Sequence, residues 1–173
     1  MKHLFVFGVG MIIFSAVYSA NPAGSMGVST EPIVRKCSIL AKPMPSVLSQ
    51  HPNAAVITNC GVICVRVADG KECREYHYSQ TGATFPKMCK VRDEDGLGFD
   101  TVIDGQGRPT KYIEYKNGQI HGLWLEFHTN SVIRVYMSLT NDCLVGRQLF
   151  YDESGKLISE GRGKGSILDF TVK

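Results

Sequence analysis

Sulfur and imidazole carry most of the reactive chemistry in this sequence. The six thiols all fall after residue 20, at Cys37, Cys60, Cys64, Cys73, Cys89 and Cys143. An even set of cysteines in a chain that leaves the cytosol is expected to oxidise, so all six are disulfide candidates, and sequence does not choose among their pairings. Cys60 and Cys64 stand four apart in a β-rich stretch. A straight strand would hold their Cα atoms roughly 13 Å apart, beyond the roughly 4.4–6.8 Å that a disulfide spans. Five cysteines lie between Cys37 and Cys89, so complete oxidation within one chain requires Cys143 to bond back to the N-terminal region. That bond would close a loop of at least about 54 residues and stabilise by roughly 4 kcal/mol in the chain-entropy picture. Cys60, Cys64, Cys73 and His77 form the sharpest candidate zinc set. Their spacing fits no common ribbon or finger, and oxidation competes for the thiols; no metal and no cofactor is expected.

Downstream of residue 20 the histidines are His51, His77, His121 and His128. Glu75 and Glu126 each precede a histidine by two positions, which on a strand places each pair on one face and within reach of acid–base work. Solvated outer-face residues are the simpler reading. Gly-x-Ser-x-Gly and His-Glu-x-x-His are both absent, so no nucleophile or metalloprotease motif supports hydrolysis. Gly161-Arg-Gly-Lys-Gly165 lacks Walker spacing and is expected to be a flexible loop after the last strand. Asp93-Glu94-Asp95-Gly96 lacks the alternating ligands of a calcium loop and reads as a solvated turn. No catalytic residue is expected.

The elements that must position these groups follow an export signal. Met1-Lys2-His3 is a short basic start, Leu4 to Val17 is an apolar run, and small residues stand at Ser19 and Ala20. That order is what signal peptidase reads, and the run is too short to span a bilayer. Residues 1–20 are therefore expected to be a signal peptide. A cut after Ala20 leaves Tyr18 at the −3 position, and a cut after Ser19 leaves Val17 there. The charge of the whole chain is only +3 and its basic residues are scattered. No nucleic-acid surface follows, and any membrane-surface association should be weak.

Residues 21–91 are expected to form a small, Cys-rich, mostly β N-terminal region that carries the disulfides. Asn21 to Pro32 reads as a flexible leader. Ile33 to Leu40 reads as a short strand, and Ser46 to His51 as one helical turn. Ala54 to Ala68, rich in β-branched residues, reads as one or two strands around Asn59-Cys60-Gly61, ending at the turn signal Asp69-Gly70.

Residues 92–173 repeat at 24 residues. Gly98, Gly122 and Gly146 each precede an apolar or aromatic residue by five, at Ile103, Phe127 and Tyr151, and turn residues follow at Gly107, Ser131 and Gly155. A weaker copy is visible at Tyr78 to Gly82. Within a unit the alternation is that of a hairpin, with Leu123, Leu125 and Phe127 on one face and Trp124, Glu126 and His128 on the other. After the turn, Ile133, Val135, Met137 and Leu139 again share a face. Asn117-Gly118 is a strong hairpin turn signal. One such unit buries too little to stand alone, so the fold class is mainly β: stacked antiparallel hairpins forming an extended sheet. Tyr112 and Tyr136, one period apart, and Trp124 between them lie off the apolar row and are the candidate binding residues.

Tyr115, Gly118, Gly122, Trp124, Phe127 and Ile133, followed by Gly146, Tyr151, Gly155, Leu157, Glu160 and Gly161, resemble the variant MORN repeats of bacteria. Ser131, Asp142 and Gln148 depart from that pattern. The resemblance covers about Gly98 to Lys164. It implies a sheet of hairpins used for recognition and supplies no catalytic residues. The expectation is an exported, periplasmic or extracellular interaction protein that binds a protein or an envelope component. Two alternatives stand beside it: an exported hydrolase of peptidoglycan or lipid using His77 or His128, and a membrane-surface protein.

Overall fold

The computed structural model describes residues 18–20, 26–28, 30–59, 61–79 and 84–166. The apolar run 4–17 and Cys60 lie outside them. Tyr18–Ala20 (β1) and Met26–Val28 (β2) pair antiparallel as a small unit of their own. β2 falls inside the stretch expected to be a leader.

Glu31–Leu40 is a helix, α1, where the sequence suggested a strand. Ile33, Cys37 and Leu40 recur at i, i+4 and i+7, the spacing of one helical face, and Cys37 and Leu40 are buried. Glu31 and Pro32 suit a first turn, where an acidic side chain complements the dipole and a missing amide hydrogen costs nothing. Met44–Gln50 forms α2, longer than the expected turn, with Pro43 at its N-cap and Val47 buried.

Ten antiparallel strands then follow in one sheet, in unbroken chain order. They are Ala55–Asn59 (β3), Val62–Asp69 (β4), Glu72–Ser79 (β5), Met88–Asp93 (β6) and Gly98–Ile103 (β7). Pro109–Lys116 (β8), Gln119–Phe127 (β9), Ile133–Thr140 (β10), Cys143–Tyr151 (β11) and Leu157–Ser166 (β12) complete it. The expected hairpins are β7–β8, β9–β10 and β11–β12. The division at residue 91/92 is no break in structure, because it cuts β6 and the sheet continues on both sides. Gly161 to Gly165, expected to be a loop, lies within β12. Its backbone pairs residue by residue with Leu144 to Gln148 of β11, and that ladder outweighs the weak strand propensity of glycine.

The turns explain the 24-residue period. Asp93–Leu97, Asp104–Arg108, His128–Val132 and Asp152–Lys156 close alike. In each, the first amide donates to the fifth carbonyl and the fourth amide donates to the first carbonyl, at 2.8–3.1 Å. Asp93, Asp104 and Asp152 each accept two further backbone amides at Oδ1, from the third and fifth residues. This is an aspartate folding its own turn, and it accounts for Asp93-Glu94-Asp95-Gly96 without calcium. The fourth residue has positive φ throughout, at Gly96, Gly107, Ser131 and Gly155.

Register sorts the side chains between two faces. Val65, Tyr76, Cys89, Thr101, Tyr112, Leu125, Tyr136 and Leu149 align across β4 to β11 on one face. The helices cover part of this face. Tyr78 Oη donates to Lys42 O at 2.7 Å, Cys89 Sγ approaches Leu40 O at 3.6 Å, and Lys36 Nζ sits 3.9 Å from the centre of the Phe99 ring. The core here comprises Cys37, Leu40, Val47, Val65, Tyr76, Tyr78, Cys89, Val91, Phe99, Thr101 and Tyr112, all buried. Each large apolar side chain contributes about 1.5–3 kcal/mol. On the opposite face, Ile113, Trp124 and Met137 align, and Leu139 and Leu144 pair there, both 1% exposed.

Candidate functional site

The three aromatic candidates do not form one surface. Tyr112 is 2% exposed. It packs against Phe99 at 5.1 Å between ring centres, and its hydroxyl donates to Glu114 Oε1 at 2.9 Å. Burial, and then the Glu114 charge, push its phenol well above the ordinary tyrosine range. It is a core residue beneath α1. Tyr136 shares its face but lies two strands away, half-buried beside Leu125 and Leu149. Trp124 is on the other face, with Lys111 Nζ 4.8 Å from its ring centre. Alternation alone missed this arrangement because three single-residue bulges shift side-chain parity: in β8 near Thr110, in β10 near Arg134 and in β12 near Ile158.

The histidines separate cleanly. His121 Nδ1 meets Asn141 Oδ1 at 3.2 Å in a turn. His128 Nε2 meets Tyr151 O at 2.9 Å and tethers one hairpin to the next. Its sequence partner Glu126 is engaged elsewhere, by Lys111 at 3.1 Å and Arg134 at 2.5 Å. The His128–Glu126 acid–base pair is therefore not assembled. His77 and Glu75 do come together, with Nε2 3.5 Å from Oε2.

That second pair belongs to a cluster on the face away from the helices. β4 and β5 run antiparallel with Cys64 opposite His77 and Arg66 opposite Glu75. The Cys64 thiol, a Glu75 carboxylate oxygen and a His77 ring nitrogen all lie within 4.8 Å of one another. Arg66 donates to Glu75 Oε1 from Nε at 2.8 Å and from Nη2 at 2.5 Å. Burial pulls the Glu75 carboxyl upward, but the Arg66 hydrogen bond and charge, aided by His77 and Lys90, hold it below the usual range. Burial and then Glu75 push the Cys64 thiol up, against Arg66 and Lys90. Cys73, named with His77 in the sequence, lies four residues along β5 and outside this group. Cys73 and Glu75 share the His77 face of β5, and Glu75 takes the place because it stands two residues from His77 instead of four, each residue adding about 3.3 Å.

The five described cysteines, Cys37, Cys64, Cys73, Cys89 and Cys143, are not bonded to one another. Cys143 is bonded to none of the described N-terminal cysteines. Cys143 is exposed at the start of β11, five strands from Cys89 on β6, and each strand spacing adds about 4.8 Å. Cys37 and Cys89 are neighbours in the core: Cys37 bonds Thr101, which is the cross-strand neighbour of Cys89.

A small cleft of about 200 Å³ opens between the helices and the sheet, lined among others by Lys36, Lys42, His51, Glu72, Arg74 and Phe99. Its cations are engaged in part: Lys42 with Gln50 at 2.9 Å and Arg74 with Glu72 at 2.5 Å.

The two edges of the sheet differ. All five residues of β3 are exposed, with Val56 at 51% and Ile57 at 47%. Among the described residues β3 has a strand on one side only, and Ala55 to Asn59 contains no charge and no proline. β12 also exposes Leu157 and Ile158, but it carries Glu160 and Arg162, and Glu160 is paired with Arg147 at 2.6 Å.

The fold and these features define an open antiparallel meander built of hairpin repeats. No family model matches the chain, and no curated protein matches it.

Proposed function

We propose that this is an exported recognition protein, of the MORN-like hairpin-repeat kind, which binds an extended segment of a partner protein as an added strand on β3. The observation that carries the reading is the unguarded β3 edge. A free sheet edge presents a row of unpaired backbone donors and acceptors, and proteins ordinarily blunt such edges with charge, proline or a bulge. β3 has none of these within Ala55–Asn59. Strand addition draws affinity from main-chain hydrogen bonds and specificity from alternate side chains, and Val56 and Ile57 offer one exposed β-branched side chain to each face. The hairpin array behind β3 provides a long, continuous support. The basic, apolar and small segments at the chain start support export, and the scattered, carboxylate-paired cations support weak membrane association.

The test uses a photo-crosslinkable side chain at Thr58 and envelope extract, with hydrogen exchange on any complex formed. A defined partner should crosslink, and the β3 amides should gain protection. Ile57→Lys should abolish capture, while Ile158→Lys at the opposite edge should leave it intact. Equal capture by Ile57→Lys, or a complex composed only of a second copy of this chain, would overturn the reading.

A further inference from the structure

We infer that Cys64, Glu75 and His77 form a binding site for a divalent transition-metal ion of the zinc type, on the sheet face that the helices leave uncovered. The three side chains offer a sulfur, an oxygen and a nitrogen, the donor set that zinc takes. Cys64 and His77 face each other across β4 and β5, and Glu75 follows on the same face of β5. The ladder therefore fixes all three Cβ atoms before any ion arrives. Their donor atoms already lie within 4.8 Å of one another. A tetrahedral zinc site separates its ligand atoms by roughly 3.3–3.7 Å, given metal–ligand bonds of about 2.0–2.3 Å. Closing the cluster onto an ion thus requires side-chain shifts of about 1 Å and no backbone movement.

Two further observations point to a ligand. His77 Nε2 is closed off from solvent and has no hydrogen-bond partner among the described residues. Glu75 Oε2 at 3.5 Å is too distant to serve as one. A buried polar atom left without a partner costs about 1–3 kcal/mol, and an ion bound at that nitrogen removes the deficit. Glu75, for its part, is divided between two tasks. Oε1 is taken by Arg66, and Oε2 turns toward His77. A carboxylate fixed from behind by a second side chain, with one oxygen left to coordinate, is the arrangement that orients metal ligands. Ile57 stands opposite Cys64 on β3 and Met88 opposite His77 on β6, while Lys90 stands opposite Glu75.

Three protein ligands leave the fourth position of a tetrahedral ion to water or to a partner's donor. The site adjoins β3, so a strand added at that edge would pass two strand spacings from Cys64 on β4.

Cobalt(II) titration of the purified, reduced full chain tests this, because a cobalt–thiolate bond has a charge-transfer absorption that no oxygen or nitrogen ligand produces. One equivalent of cobalt should generate the band, and zinc should bleach it stoichiometrically. Cys64→Ser should remove the band. His77→Gln should weaken binding about tenfold or more, since losing a ligand costs at least what losing its outer partner does. Cys73→Ser should change neither. Far-ultraviolet circular dichroism on each variant separates loss of the site from loss of the fold, and His77→Gln serves if Cys64→Ser does not fold. Absence of the band in the native chain, or its persistence in Cys64→Ser, would overturn the assignment. Neither result bears on strand addition at β3, which Ile57→Lys reports separately.

Discussion

The Glu114 carboxylate on β8 accepts the Leu123 amide of β9 at 2.8 Å, directly over Gly122. The bulge of β9 stands here, where Tyr115 pairs with Ile120 but Ile113 pairs with Trp124. Gly122 has φ +116°, and a Cβ added to it would lie 2.2 Å from Glu114 Oε2. The glycine that marks the repeat in the sequence thus makes room for a carboxylate that closes the bulge.

Gly122→Ala should therefore destabilise by about 2 kcal/mol or more, from combined backbone strain and collision. Gly118→Ala, at φ +79° in open space, should cost only about 1 kcal/mol. Urea denaturation of both variants checks the difference, and equal losses would show that Glu114 yields freely.

Tyr112 should behave as core. Tyr112→Ala is expected to cost about 3–5 kcal/mol. Tyr112→Phe, which loses only the hydroxyl bonded to Glu114, should cost about 1–2 kcal/mol and leave partner capture unchanged. A Tyr112→Phe variant of native stability that no longer captured its partner would return this residue to the binding surface.

Ser131 occupies the turn position held by Gly96, Gly107 and Gly155, at φ +65°. Left-handed backbone costs a non-glycine residue roughly 1 kcal/mol. Ser131→Gly should raise stability by up to about 1 kcal/mol and Tm by about 2–4 °C. A thermal melt that falls instead would mean that the serine makes a compensating bond.

Stability should fall in alkali. Burial pushes the Cys37 thiol up to about 11, against the smaller pulls of Thr101 and Lys36. Burial, then Cys37, raise Cys89 further still. An unfolded thiol titrates near about 8.5. The fold therefore binds protons that the unfolded chain releases, and this contribution is whole below about pH 8.5 and is lost as pH rises toward the folded values. Burial raises Tyr78 and Tyr112 likewise, which extends the loss above about pH 10. In reducing buffer, the double variant Cys37→Ala, Cys89→Ala should be less stable at neutral pH but flatter between pH 8 and 10. An unchanged slope would show that these thiols do not titrate on unfolding.

The sequence by itself determined what is local. Turn chemistry at Asp104 to Gly107, Asn117-Gly118 and Asp152 to Gly155, with alternation between the turns, was sufficient to place the hairpins of a mainly β sheet. Those signals act over a few residues and need no knowledge of what packs above. α1 was carried by a helical spacing in a short stretch that also passes for a strand, and burial of Cys37 and Leu40 against the sheet decided it. Only the tertiary structure settled which side chains share a face, because each single-residue bulge shifts the alternation by one. It alone buried Tyr112, divided it from Trp124, and set Cys143 on β11, five or more strands from Cys64, Cys73 and Cys89. It alone brought Glu75 to Cys64 and His77. Residues 64 and 77 are thirteen positions apart in the chain, and the register of β4 against β5, set by the turn at Gly70 and Lys71, makes them neighbours.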